Sequence, residues 1–252
     1  MPEIPGWNGC HERLVLAEGI QSAGLVFEDL QALIPPPQWL LVGEHYNWHY
    51  TERSPAQAML LKLGRQISGA NALNLLIGNG FIQEAGSLQR SLDEINEDIL
   101  FIALGLSAGG WTENHDAYLE YFWTDTPGQP IQRKRIRAYV NRVFDEQLNP
   151  SSADAVGREL YSAFSDFVHA RSGPIIGLII GPPPRFDLNG VQHPGQIQAF
   201  VDQAPTYGFR CLASATAVAQ ALFPTDLGIV AYKALKLFEQ QHSQLLLHSD
   251  PK

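Results

Sequence analysis

Hydrophobic positions along this chain recur mostly at helical spacing. Phe81, Ala85, Leu88, Leu92, Ile95, Ile99, Ile102 and Leu106 follow one another at alternating intervals of four and three. That heptad seam predicts a long helix packed at a shallow angle against neighbours, as in a bundle. Gly105, Gly109 and Gly110 close it. Upstream, Leu14, Leu16, Ala17, Ile20, Leu25, Leu30 and Leu33 mark a helix over residues 10–34, stopped by Pro35-Pro36-Pro37. Residues 39–51 are short and aromatic-rich. Ser54 and Pro55 open the next helix as N-cap and first residue. Its seam is Ala56, Leu60, Leu63, Ile67, Ala70 and Ile77, with the polar Asn74 at a skipped position, and Gly78-Asn79-Gly80 breaks it.

The second half continues in the same period. Thr112 is placed to cap a helix over residues 112–125. Residues 131–148 form an amphipathic helix with Ile136, Tyr139, Val140, Val143 and Phe144 inward and the basic residues mostly outward. Another helix ends near Arg171. Residues 172–194 are too rich in Gly and Pro for a regular helix, with a short strand or buried turn over 175–180. Helices follow over 196–223, with a break expected around Tyr207 and Gly208, and over 225–247. Strand signals are scarce. The expected fold is all-α, an up-and-down bundle of about seven or eight helices, with 1–252 as a single domain carrying a Gly/Pro-rich loop excursion.

Composition narrows the class. The 252 residues are 45% hydrophobic and 17% charged, which excludes a disordered chain. Cys10 and Cys211 read as packed, reduced thiols of a cytoplasmic protein. The first eight residues lack a signal-peptide pattern. The longest apolar candidate, residues 174–181, is too short to span a membrane, so no membrane partner is expected. The formal net charge of −9 disfavours gross nucleic-acid binding. That charge is uneven, however. Residues 81–125 hold nine acidic residues against Arg90 alone. Arg133, Lys134, Arg135, Arg137 and Arg142 then follow with no acid among them. Either these blocks are solvated faces that attract each other, or the basic one is a patch for a phosphate-bearing partner such as nucleic acid.

Three polar clusters could carry chemistry. On the seam helix, Arg90 and Glu94 stand at i and i+4. They form an exposed pair, or a second layer of helices covers them in a semi-buried cluster. Tyr161, Ser165 and His169 make one polar stripe on a helix, a hydrogen-bond stripe or a substrate-binding one. His45, His49 and Glu52 would share a face and could hold a metal if their segment were helical. No cofactor motif is present, since Gly78-Asn79-Gly80 lacks the Lys and preceding strand of a P-loop. A divalent metal is the one cofactor left open.

The run Gly80-Phe81-Ile82-Gln83-Glu84-Ala85, followed by Leu88-Gln89-Arg90-Ser91-Leu92-Asp93-Glu94, resembles the signature helix of a bacterial family of helical proteins of unknown function. The later Tyr161, Ser165 and His169 are similar to a second helix of that family. The likeness covers about a third of the chain. It implies an all-helical bundle with Glu84, Arg90, Glu94 and His169 in one polar site. The layout also resembles the HEPN nucleases, which use an Arg followed four to six residues later by His; no helix here has that spacing. Two functions follow as expectations. One is a binding or regulatory protein acting on a protein partner or a second copy. The other is a hydrolase or HEPN-like nuclease, with Glu84, Arg90, Glu94 and His169 catalytic and Tyr161 and Ser165 contacting substrate.

Overall fold

The computed structural model describes residues 10–124, 131–144, 165–191 and 193–248, and its regular structure is predominantly helical. In chain order the elements are α1 (His11–Leu33), β1 (Gln38–Val42), β2 (His45–His49), α2 (Pro55–Gly78), α3 (Ile82–Ser107), α4 (Glu113–Trp123) and α5 (Arg133–Phe144). They continue with α6 (Ser172–Ile176), β3 (Ile179–Ile180), β4 (Arg185–Phe186), α7 (Pro194–Leu222), α8 (Leu227–Gln241) and α9 (Ser243–His248). Residues 165–168 add one helical turn before α6. The helices pack on one another in an all-α bundle, and the two strand pairs are antiparallel ribbons outside it.

Local chemistry sets the helix starts. Ser54 caps α2, with the Gln57 N–H donating to Ser54 Oγ at 3.3 Å and the Ser54 N–H donating to Gln57 Oε1 at 3.1 Å. At α4 the reciprocal role falls to a histidine. The Thr112 N–H donates to His115 Nδ1 at 3.0 Å, which leaves Nε2–H to donate to the Phe101 carbonyl at 3.1 Å. His115 is fully buried and stacks on Phe101 with ring centroids 3.9 Å apart. Burial pushes its pKa down.

The heptad seam of α3 is buried at Ala85, Leu92, Ile99 and Ile102, against α2 and α7. Its opposite side is covered by α5. Leu106, at the end of the seam, is 41% exposed. The polar Asn74 on the α2 seam is matched from α1: Arg13 Nε donates to Asn74 Oδ1 and Arg13 Nη2 to its carbonyl, each at 2.8 Å. Gly78 presents bare backbone to that guanidinium. Cys211 is buried in α7, and burial pushes its thiol up to about 12. Both cysteines are free thiols.

The structure corrects the sequence reading at four places. Residues 172–176, read as too rich in Gly and Pro for helix, form the short α6, and the expected strand forms only at Ile179–Ile180. The aromatic stretch 39–51 is mostly a β-hairpin, with Trp39 paired to Trp48 and Leu41 to Tyr46. Gly43 and Glu44 make its two-residue loop, and Gly43 has the positive φ of 63° that a primed turn requires at its first position. Helix α7 is not broken at Tyr207-Gly208. Gly208 stays helical because it lies against α1, where a Cβ on Gly19 would come within 2.6 Å of Gly208 Cα. The expected helix over 225–247 is instead parted at His242 into α8 and α9. No helix among the described residues is long and apolar enough to cross a membrane.

Candidate functional site

Helix α3 carries Asp93, Glu94, Glu97 and Asp98, two i,i+4 carboxylate pairs one residue out of step. Cations reach this stripe from three other helices. From α2, Lys62 Nζ donates to Asp98 Oδ2 at 2.8 Å and sits 5.3 and 5.0 Å from the ring centroids of Tyr118 and Phe122. From α5, the Arg133 guanidinium holds both Asp98 oxygens, with Nη2–Oδ2 at 3.2 Å, and Arg137 Nε donates to Glu97 Oε1 at 2.6 Å. Arg133 Nη1 also donates to the Glu94 carbonyl at 3.1 Å. From α7, Arg210 pairs with Asp93 and lies 5.3 Å from the Tyr207 ring.

The opposed charge blocks of the sequence therefore meet inside the molecule. On α5, Lys134, Arg135 and Arg142 are exposed, so the basic residues are mostly outward as expected, while Arg133 and Arg137 turn toward α3. The cause is burial of α3 on both sides, since its carboxylates need partners once covered. Asp98 is the deepest, with its side chain 4% exposed. Burial pushes Asp93 upward against the guanidinium of Arg210, and pushes Glu97 upward against that of Arg137. Glu97 Oε2 is buried without a hydrogen bond, 3.9 Å from Arg133 Nη1. Burial, with the Asp93 carboxylate adding to it, raises the Tyr207 hydroxyl well above its ordinary value.

Three of the residues singled out from sequence come together beside this network. Arg90 Nε donates to Glu94 Oε1 at 3.4 Å, and Arg90 Nη1 donates to Ser165 Oγ at 3.1 Å. The turn holding Ser165 is seated by Phe167, whose ring lies over Gly86 of α3. His169 follows one turn later and is exposed, its N–H donating to the Ser165 carbonyl at 3.0 Å. Glu84 is exposed and lies about 9 Å along the α3 axis from Arg90, at 1.5 Å per residue. Tyr161 lies outside the described residues. Sequence reasoning missed Lys62, Tyr207 and Arg210 as members of the network. Nothing in their local spacing marks them, because Lys62 reaches the stripe from α2 and Tyr207 and Arg210 from α7, far from α3 in sequence.

The metal geometry expected of His45, His49 and Glu52 is not present, because its premise was a helix. His45 and His49 occupy opposite ends of strand β2. Four residues of strand separate them by about 13 Å, too far to share one ion. No group of three His, Cys, Asp or Glu among the described residues could hold a metal ion.

The hairpin has a different property. Its register puts Trp39, Leu41, Tyr46 and Trp48 on one face. All four are exposed, at 53, 57, 60 and 61%. Trp39 touches Trp48 edge-on at 5.0 Å and lies nearly parallel to Tyr46, 14° apart at 6.3 Å. At the hairpin base, Tyr50 meets Trp123 of α4 at 6.2 Å. The signal for this ribbon in the sequence was the Gly-Glu loop and the alternation of Tyr46 and Trp48 after it; before the loop, residues 39–42 are apolar without a break. No family model matches the chain, and comparison with curated proteins and with solved structures finds no significant match.

Proposed function

We propose that the chain is a binding protein that docks a partner through the hairpin face formed by Trp39, Leu41, Tyr46 and Trp48. One observation carries the reading: four large apolar side chains are exposed together on an element that contacts little of the bundle. Patches of this kind mark interaction sites, and Trp and Tyr are enriched at them. The charge network supports the same reading from the other side. Lys62, Arg133, Arg137 and Arg210 are engaged with carboxylates of the same chain, so their positive charge is answered within the bundle. The test separates docking from folding. The double variant Trp39→Ser, Trp48→Ser is expected to change the unfolding free energy in urea by no more than about 0.5 kcal/mol, the range of surface substitutions. A loss above about 2 kcal/mol would show that the hairpin serves the bundle's own stability instead.

The alternative is a hydrolase or HEPN-like nuclease. The contact between Arg90 and Ser165, one turn from His169, is what favours it. Cleavage assays on RNA and DNA, comparing wild type with Arg90→Ala and His169→Ala, decide it. Turnover that both variants abolish would establish the enzyme, and the docking reading expects no turnover in wild type.

A further inference from the structure

We infer that the occupant of the hairpin face is a second copy of this chain, packed face to face about a two-fold axis; the inference rests on the docking reading above. The face itself selects an apolar occupant. Its four residues include no charged side chain, Glu44 sits in the turn, and the opposite face mixes Leu40 and Val42 with Gln38, His45, Asn47 and His49. A nucleic acid would require cations here. A sugar would require polar side chains between the rings, and the face offers only the Tyr46 hydroxyl and the Trp indole N–H groups.

Shape favours self-pairing. The face is a two-by-two block, with a rung of Trp39 and Trp48 beside a rung of Leu41 and Tyr46. A two-fold axis between the rungs sets the Trp–Trp rung of each copy on the smaller Leu–Tyr rung of the other, an isologous contact with large against small. Area agrees with this. Aromatic side chains bury about 150–250 Å² each. With the exposures above, the block amounts to roughly 500 Å² per copy. Two copies would bury at most about 1,000 Å², the size of a weak, reversible contact. A two-stranded ribbon is marginal alone and gains a covered face when it packs on another ribbon.

Sedimentation velocity on the purified full chain, from about 1 to about 200 µM, tests this against dissociation constants in the micromolar range. The expected result is a concentration-dependent rise from 27.9 kDa to twice that mass. Trp39→Ser should weaken the dimer at least tenfold, as expected for a central aromatic anchor. Leu25→Ser, at an exposed leucine of α1, should leave it unchanged. A monomer at every concentration, or a dimer indifferent to Trp39→Ser, overturns the inference. A monomer whose hairpin still captures another molecule overturns the dimer alone, while failure of the stability test under Proposed function overturns the docking reading as well.

Discussion

Asp98 is the least exposed carboxylate of the α3 stripe, and two cations depend on it. Lys62 and Arg133 both bind it. Asp98→Asn keeps the shape and removes the charge, so Lys62 loses its counter-ion and Arg133 is left with Glu94 and Glu97, each 3.9 Å away. The expected cost is about 3 kcal/mol, read from urea unfolding. A cost near zero would mean that water already serves those cations. His115 makes a prediction of opposite chemistry. Its folded pKa is lowered by burial, so between that value and about 6.5 the unfolded chain binds a proton that the folded chain refuses. Stability is therefore fully present above about pH 6.5 and falls as the pH drops through that window. His115→Gln retains an N3 side chain able to accept from the Thr112 N–H, and should flatten the loss of stability between about pH 7 and pH 5. An unchanged slope in the variant would place the acid sensitivity elsewhere. At this scale the sequence was legible where chemistry is local. Asn74 was visible as a polar residue on a seam, but its partner Arg13 stands 61 residues away and could not be paired with it by spacing.

At the scale of elements, periodicity and caps carried most of the information. The seam on α3 and the Ser54-Pro55 start of α2 are both local patterns, and both elements form where expected. The errors arose where tertiary contact overrides a local signal. Gly208 looks like a helix breaker, yet α7 passes through it because the missing Cβ lets α1 approach. The Trp39 to Trp48 stretch lacks an apolar helical stripe, and its two-residue period is half hidden because the opposite face also holds Leu40 and Val42. Gly19→Ala tests the α1–α7 contact directly. A methyl there would overlap the Gly208 backbone, and the expected loss is about 1–3 kcal/mol, measured by denaturation. Gly24→Ala is the control on the same helix, since a Cβ there meets nothing within 4 Å. It should be neutral or slightly stabilising by helix propensity.

For the whole molecule, the net charge of −9 says less than its arrangement. The acidic and basic blocks are adjacent in sequence and meet across α3 and α5 in the fold, so much of their charge organises the bundle. Fold class followed from hydrophobic spacing, but the docking face did not. It requires the hairpin register, which alone puts Trp39, Leu41, Tyr46 and Trp48 on one side. The central claim is that this face meets another molecule. The most direct measurement places a photo-reactive amino acid at Leu41 and, in a second preparation, at the equally exposed Leu25, and weighs the covalent adducts by mass spectrometry. A discrete adduct from position 41, of twice the chain mass, with none from position 25, is the predicted result. Equal labelling at both positions, or none at position 41, would contradict the account.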